Sequence, residues 1–383
     1  MIKTQGKLDA LLLVVVIVLV VFGVIMVFSA SFYSTMNAEE GPYQYLMLSV
    51  QWAILGFAVM IGASFVPYRV YYALAPAFVV ASIIFLLLLY TPLGEQANNA
   101  TRWIRVGELT FMPGEFAKLA VIFGCAWYYT KYADKAKTFV RGFCAMAPGI
   151  VVYFYLIYKQ PNLSTAIIVA FTILVIMYFA GVRIWYLIGF VIAAFLVVRN
   201  MVVTAEGEHL NRITGFLDPF SDAQGEFFQT VQGLIALGSG GLTGVGLGNS
   251  VQKAFWLPFA QNDFIFAIIG EEMGFLGCIL VLIAFIVLIW RCLLIAMRNQ
   301  DRFAMLTGGG VAMLFAIQVI INIGVVTSVL PPTGVTLPFI SYGGNAIVLF
   351  MFLIGVMLNI SRKEGPKAPS FRKRKKQQEE EAA

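Results

Sequence analysis

The chain has 383 residues, of which 60% are hydrophobic and 12% are charged, and its mean hydropathy is +0.86. A soluble domain carries roughly a quarter charged residues, so this composition argues against a water-soluble protein and predicts a polytopic integral membrane protein. The net charge of +6 does not indicate nucleic-acid binding, because Lys and Arg residues mostly flank apolar runs or lie in the C-terminal tail.

Histidine and cysteine usage narrows the chemistry. The single histidine, His209, argues against a His-based metal site or a Ser–His pair. The four cysteines lack CxxC spacing and lie in or beside apolar runs, which is typical of small core residues and not of disulfides. They are Cys125, Cys144, Cys278 and Cys292.

Apolar runs of roughly 20 residues predict an all-α membrane fold with about ten transmembrane helices. The first run suits a membrane span better than a cleavable signal sequence. The runs lie near 10–30, 46–66, 71–91, 116–130, 143–158, 163–181, 184–199, 264–290, 304–327 and 337–360.

The distribution of basic residues predicts the orientation. With the N-terminus inside, 19 of the 26 Lys and Arg residues fall on the cytoplasmic side, so both termini are expected to be cytoplasmic. We expect a cytoplasmic N-terminal tail (1–9), a polytopic membrane domain (10–360) and a basic, disordered cytoplasmic tail (361–383). A long extracellular loop at about 200–263 then joins helices 7 and 8.

The first polar outer segment is TRWIRVGELTFMPGEFAK, residues 101–118. Arg102 and Arg105 lie outside against the positive-inside bias, which indicates that a ligand or a partner holds them there. Glu115 and Lys118 are three residues apart and share a helix face, so a structural ion pair is the alternative to a binding role.

The long outer loop contains two segments with open interpretations. Residues 226–237 have helical apolar spacing, which fits either a helix on the membrane surface or a partly buried loop helix. Residues 238–253 are rich in glycine and end in Lys253, which fits either a phosphate cradle or tight turns. No P-loop or dinucleotide fingerprint is present.

Acidic residues at the start of the eighth predicted helix are the main candidates for chemistry. Asp263 fits either a helix N-cap or a catalytic acid or base, and the sequence pattern leaves both open. Glu271 and Glu272 lie inside an apolar helix, where ionisable groups are costly and are usually functional or paired.

Two further polar breaks lie on the outer side, at Gln160-Pro161-Asn162 and in the Pro- and Gly-rich stretch 330–346, which contains Ser341. Irregular backbone at membrane depth is tolerated only against protein or water. Breaks on one side predict a cavity open to that face, whereas a transporter more often has matched breaks near the midplane of two repeated halves.

Five motifs, in order, resemble the SEDS family (FtsW/RodA/SpoVE), with the FtsW/SpoVE branch the nearest. The motifs are RWI…PGEFAK (102–118), QPNLSTA (160–166), GVGLGNSVQKAFWLP (244–258), QNDFIFAIIGEE (261–272) and LPFISYGGNA (337–346). The family often has His-Thr where this chain has Gln261-Asn262. Likewise QPD is QPN here, and SYGGS is SYGGN.

The resemblance implies a peptidoglycan glycosyltransferase that polymerises lipid II on the outer face of the bacterial cytoplasmic membrane, with Asp263 as the catalytic carboxylate. It implies a multi-pass protein at the division septum, acting in cell division or sporulation. It also implies a class B penicillin-binding protein (a transpeptidase) and other divisome or sporulation cell-wall proteins as partners, beside lipid II and membrane lipid.

Departing pyrophosphate needs positive charge, for which Arg102 and Lys118 are the first candidates and Arg105 and Lys253 the next. The remaining substrate-binding candidates are Glu115, Gln160 and Ser341. A divalent cation, Mg²⁺ or Mn²⁺, held by Asp263 or Glu115 is a further expectation, and no organic cofactor is expected. The alternatives are a lipid II flippase, using Glu271 and Glu272, and a non-catalytic scaffold for the transpeptidase.

Overall fold

A computed structural model describes residues 8–36, 41–97, 100–106, 109–204, 218–225 and 227–362. The N-terminal residues 1–7, the basic tail beyond Arg362 and the part of the long loop that holds His209 lie outside the described residues. The predicted domain limits therefore stay predictions.

The described chain is mostly helical, as its composition predicts. Twelve α-helices in the described residues are α1 (Ala10–Thr35), α2 (Gln44–Phe65), α3 (Tyr68–Leu88), α4 (Pro113–Lys131), α5 (Ala147–Tyr158), α6 (Leu163–Phe179), α7 (Ile184–Thr204), α8 (Phe228–Ser239), α9 (Gln252–Phe255), α10 (Ile265–Arg298), α11 (Arg302–Val326) and α12 (Gly344–Ser361). Short 3-10 turns lie at Ala133–Lys135 and Pro219–Asp222, and a π-helical turn at Phe139–Cys144 precedes α5.

Seven helical segments in the described residues are long and apolar enough to cross a membrane, and two shorter apolar helices accompany them. The polytopic, helical fold class is confirmed. Helix α4 is 19 residues long and carries Glu115 and Lys118. The count of ten spans stays a prediction.

The last membrane helix begins later than its apolar run. The sequence predicts a helix from 337, but α12 begins at Gly344. Phe339 has a φ of 65°, which lies in the left-handed region and is incompatible with a regular right-handed helix. The Ser341 amide donates to the Leu337 carbonyl at 3.0 Å. This stretch is an irregular turn.

A three-stranded antiparallel sheet in the first outer segment is absent from the sequence prediction. It comprises β1 (Gly94–Ala97), β2 (Ala100–Val106) and β3 (Leu109–Phe111). On β2, Ile104 pairs with Gly94 on one side and Phe111 on the other, and its side chain is buried. Strand β2 contacts α4, and β3 ends two residues before α4 begins.

Helix α10 is interrupted at Gly274, whose φ of 67° and ψ of −166° are not helical. The amides of Phe275 and Leu276 donate to the Gly241 and Leu242 carbonyls, at 2.9 and 3.1 Å. The carbonyls of Glu271 and Glu272 accept from the Val245 and Gly246 amides, each at 3.0 Å. The loop thus supplies the hydrogen bonds that the broken helix loses.

Candidate active site at the outer end of the helices

The outer end is the end of the bundle that holds the small sheet, the outer loop (227–264) and the last loop (327–343). The outer loop runs alongside α10 instead of projecting away from it. A Cβ placed on Gly233 of α8 would lie 2.9 Å from Cδ1 of Phe264, and Thr230, Val231 and Ala236 are buried. The structure therefore favours the partly buried loop helix over the surface helix for 227–237, the described part of this segment.

The glycine-rich stretch forms tight turns. Gly241, Gly244, Gly246 and Gly248 have φ values between 54° and 97°, which side chains rarely adopt. The amides of Val245 and Gly246 are committed to α10 by the hydrogen bonds given above. Those amides do not face a phosphate in this arrangement.

Asp263 lies immediately before α10, and its side chain is partly exposed. The residue at the N-cap position is Phe264, which makes no side-chain cap hydrogen bond, so the capping interpretation of Asp263 does not describe this helix start. Burial raises the pKa of the Asp263 carboxyl from 3.8 to about 6, and a hydrogen bond from its own backbone opposes part of this rise. A carboxylate with a pKa near neutral is suited to taking up and releasing a proton.

Two links hold the backbone around Asp263 against the last loop. The Tyr342 amide donates to the Gln261 carbonyl at 2.9 Å. The side-chain amide of Asn322, on α11, donates to the carbonyls of both Asp263 and Val335, at 2.8 and 2.7 Å. A Cβ placed on Gly334 would lie 3.9 Å from Oδ2 of Asp263, so the last loop passes beside the carboxylate at a residue that has no side chain to cover it.

Glu115 and Lys118 form the predicted ion pair on one face of α4. The Lys118 Nζ lies 2.6 Å from Glu115 Oε1, and the two side chains are 2% and 9% exposed. The other carboxylate oxygen of Glu115 is buried without a hydrogen-bond partner among the described residues. A buried acceptor of this kind has unused hydrogen-bonding capacity, which water or a ligand can satisfy.

Arg102 holds the break between α5 and α6. Its guanidinium donates to the Pro161 carbonyl and, at a long 3.5 Å, to the Gln160 carbonyl. The Gln160 side chain is buried, and its Nε2 has no partner among the described residues. The contacts commit two N–H groups of Arg102, so pyrophosphate binding by this residue would use its remaining groups.

Arg105 occupies a different setting. Its Nη1 lies 3.1 Å from Oε1 of Glu95 on the neighbouring strand, and its side chain is 60% exposed. An exposed pair of this kind opens readily to an incoming anion.

Lys253 and the two intramembrane acids form one buried polar cluster. Lys253 pairs with Glu272, and the Ser29 hydroxyl of α1 donates to Glu272 at 2.8 Å. Glu271 accepts from the Ser250 hydroxyl and from the Val251 amide, the latter at 2.9 Å. These charges tie the outer loop to α10 and α1, and Lys253 has no free face toward solvent because its side chain is 1% exposed.

Two asparagines stand where this sequence differs from the family motifs, and both have hydrogen-bond partners in the structure. Asn162 caps α6 by accepting from the Thr165 amide at 3.3 Å. Asn345 donates to the Thr110 carbonyl at 3.0 Å and so joins α12 to the small sheet. Ser341 is buried and accepts from the Leu337 amide at 2.8 Å.

Sequence reasoning missed Asn322. The available signal was a pair of amides, Gln318 and Asn322, spaced four residues apart in an otherwise apolar helix and therefore on one face. Both side chains are buried. Polar groups at membrane depth are costly unless they have partners. Of the two, Asn322 contacts the candidate site, whereas the Gln318 amide has no partner among the described residues.

The fold and this site define a polytopic membrane protein with a half-buried carboxylate between two outer loops. A family model described as a cell cycle protein (FtsW, RodA and SpoVE) matches residues 9–365. A "probable peptidoglycan glycosyltransferase FtsW" of Geobacter sp. (strain M18) is 35% identical over 92% of this chain and 96% of its own length. "Stage V sporulation protein E" of Bacillus subtilis is 37% identical over 92% of this chain and 97% of its own length. The chain belongs to the FtsW/RodA/SpoVE family.

Solved structures show the same fold. One chain, from a structure on the coordination of polymerisation and crosslinking by a peptidoglycan synthase complex, matches with a TM-score of 0.78 and 25% identity, covering 94% of this chain and 98% of that one. The rod shape determining protein RodA of Thermus thermophilus matches with a TM-score of 0.69 and 23% identity, covering 94% of this chain and 99% of that one.

Proposed function

We propose that this membrane protein is a peptidoglycan glycosyltransferase that polymerises lipid II at the outer face of the cytoplasmic membrane, with Asp263 as general base. The observation that carries the assignment of Asp263 is its setting. The carboxylate is partly exposed between the outer loop and the last loop, with a pKa raised to about 6. Curated relatives named for this activity support the reaction class.

In the proposed reaction the 4-hydroxyl of one lipid-linked disaccharide attacks the anomeric carbon of another chain. Asp263 takes the hydroxyl proton as the new C–O bond forms, and the bond to undecaprenyl pyrophosphate breaks, so that the leaving group carries away the electron pair. A positioned base is worth about 10²–10⁴-fold in rate. Inversion needs this one carboxylate, because pyrophosphate is already a good leaving group.

Positive charge for the leaving group has three candidates with different availability. Arg105 is exposed, Arg102 is partly committed to the 160–161 turn, and Lys118 is paired with Glu115. Lys253 ranks below them because Glu272 holds it away from solvent. These assignments stay predictions.

A divalent cation also stays a prediction. The described residues contain no cluster of three or more His, Cys, Asp or Glu side chains. The chain thus provides no complete metal cage of its own there, although Mg²⁺ commonly binds one or two carboxylates together with substrate phosphates. Asp263 and the free oxygen of Glu115 are the carboxylate groups that fit, and the cation would neutralise pyrophosphate charge.

We expect the apolar outer ends of the helices to hold the polyprenyl chains. A small apolar pocket of about 20 Å³, too small to enclose such a chain, lies at the same end of the bundle. It lies between α1, α2 and the last loop and is lined by Val27, Trp52, Ile340 and Ile347 among others. The Ser49 hydroxyl in its wall is buried without a partner among the described residues. The neighbouring Tyr342 backbone contacts Gln261, which connects the pocket to the Asp263 segment.

A transpeptidase partner follows from the same proposal. The chain that matches with a TM-score of 0.78 belongs to a peptidoglycan synthase complex, which supports a class B penicillin-binding protein as partner here. A family model described as a cell cycle protein and a relative named for sporulation support a septal location.

The test is polymerisation of labelled lipid II in detergent by the full-length chain with its transpeptidase. Asp263→Asn should lower the rate at least 100-fold, since it removes the base. Asp218→Asn, which changes an exposed aspartate in the described part of the long loop, is the matched control and should retain the wild-type rate.

Each other outcome selects an alternative. Strand formation unchanged by Asp263→Asn would refute the base. Absence of product from the wild-type chain with lipid II translocation in vesicles would support the flippase. Absence of both, with a stimulated transpeptidase, would support the scaffold.

A further inference from the structure

Asn322 is buried on α11, at 1% exposure, and its side chain makes two strong contacts. Its Nδ2 lies 2.8 Å from the Asp263 carbonyl and 2.7 Å from the Val335 carbonyl. Both N–H groups of the amide are therefore used. Because the two neighbours are carbonyl oxygens, which only accept, the amide nitrogen must face them and the flipped orientation is excluded.

Asp263 depends on such a contact because it lies outside the regular part of α10. Its successor Phe264 is the cap residue and makes no side-chain cap hydrogen bond. The last loop, on the other side, contains three prolines and no regular helix or strand before Gly344. Its backbone therefore also lacks the regular hydrogen bonds of a helix or a sheet. An amide from a continuous helix contacts both irregular segments, in addition to the Tyr342–Gln261 backbone hydrogen bond that also joins them.

The contact also sets what lies beside the carboxylate. Val335 follows Gly334, whose Cα carries no side chain that would cover Oδ2 of Asp263. Holding the Val335 carbonyl therefore holds this open face next to the carboxylate. The position of the Asp263 carboxylate relative to this open face then depends on the Asn322 side chain as well as on the Tyr342–Gln261 hydrogen bond.

We propose that Asn322 is a positioning residue for the reaction: its amide bridges the backbones of Asp263 and Val335 and so fixes the carboxylate against the open face of the last loop. This inference rests on the general-base role proposed above. A misplacement of about 1 Å in such a group can cost about 100-fold in rate without changing substrate binding.

The experiment compares Asn322→Leu and Asn322→Asp with Gln318→Leu in the full-length chain with its transpeptidase, using labelled lipid II. Gln318 is the matched control because it is equally buried, one turn away on the same helix, and its amide has no partner among the described residues. We expect both Asn322 variants to lower kcat 10- to 100-fold with KM within 3-fold of wild type. Gln318→Leu should leave both constants within 3-fold.

A second readout separates positioning from loss of folded protein. Release of the Asp263 backbone admits water to the carboxylate, so the acidic limb of the pH–rate profile should move to lower pH in Asn322→Leu and stay in place in Gln318→Leu. The proposal would be overturned if the two leucine variants had equal kcat values and if the acidic limbs of their pH–rate profiles lay at the same pH. So would failure of both Asn322 variants to fold while Gln318→Leu folds, since the amide would then serve the fold.

Asp263→Asn, run in parallel, distinguishes this failure from that of the proposed function. An active Asp263→Asn refutes the base itself, whatever the Asn322 variants do. If Asp263→Asn is inactive and the Asn322 variants keep the kcat of the wild-type chain, the positioning role alone is refuted.

Discussion

The Asp263 carboxyl lies where a buried and a solvated environment meet. Burial raises its pKa to about 6, while partial exposure leaves the group accessible to a substrate hydroxyl. The general base must be ionised to accept a proton, and its basicity grows with its pKa. A value just below neutral satisfies both needs, since most of the population is ionised at pH 7 and the base is stronger than an ordinary aspartate.

This pKa predicts the pH dependence of the reaction. The polymerisation rate should rise with pH through about 6, because the base loses its proton there, and should level off near neutrality. Single-turnover rates with bound lipid II between pH 5 and 8 measure the limb directly. A rate that is already level at pH 5, as expected for an aspartate with the ordinary pKa of 3.8, would contradict the burial effect.

The raised pKa of Asp263 affects folding stability in the opposite direction: the rate rises with pH, whereas the contribution to stability falls. The folded state binds the Asp263 proton more tightly than the unfolded state, so its contribution falls as pH rises from about 4 through about 6. The Asp263→Asn variant is therefore expected to melt no lower than wild type at pH 7. A large drop in Tm would mean that lost activity in this variant reports unfolding.

At the scale of elements, the outer loop is fixed by buried charge. Lys253 and Glu272 are 1% and 0% exposed, and Ser29 hydrogen-bonds to both. Removing one partner of a buried pair typically costs about 3–5 kcal/mol, because the other charge stays buried without compensation. The Arg105–Glu95 pair of the small sheet, in contrast, is exposed.

Lys253→Met should therefore lower stability by about 3–5 kcal/mol, whereas Arg105→Met should change it by about 0–1 kcal/mol. Adding Glu272→Gln to Lys253→Met should recover part of the loss, since it removes the stranded charge. Thermal unfolding of the purified variants in one detergent gives the comparison. A stable Lys253→Met variant with a raised KM for lipid II would instead support the pyrophosphate-binding role.

How far the sequence predicts these elements depends on the length of the signal. The long helices follow from apolar runs, and the Glu115–Lys118 pair follows from helical spacing. Strands of three to seven residues, such as β1 to β3, carry too short a pattern to detect. The sequence does not predict the helix interruption at Gly274, because a glycine inside an apolar helix is usually tolerated. The interruption depends on hydrogen-bond partners from the loop.

The candidate site shows a similar division. The position of Asp263 before an apolar helix indicates either a cap or a catalytic group, and the family motif favours the catalytic group. The surroundings of Asp263 follow only from the fold. Nothing local to Asn322 indicates that it reaches Asp263, 59 residues earlier, and Val335 at the same time. Contacts between distant segments depend on helix packing, which hydrophobic patterning does not encode residue by residue.

At the scale of the whole molecule, the orientation is still a prediction from basic residues. It can be tested by labelling single cysteines in intact cells with a membrane-impermeant thiol reagent. Native Cys125, Cys278 and Cys292 are buried, so Cys144 is the one in the described residues that most needs replacement. Glu95→Cys should label in intact cells, and Arg298→Cys should label only after permeabilisation. The reverse pattern would invert the topology.

The interruption of α10 at Gly274 has a consequence for how the protein is made. The carbonyls and amides freed there are satisfied by residues 241–246, which precede α10 in the chain. With the predicted topology, those residues have already crossed the membrane when α10 emerges during synthesis. The helix can therefore enter the bilayer and meet its partners at once, instead of leaving bare peptide groups in hydrocarbon. The order of the segments in the chain thus makes the hydrogen-bond partners available before the helix that needs them. Moving residues 241–246 to a position after α10 would be expected to delay insertion, even if the finished fold were the same.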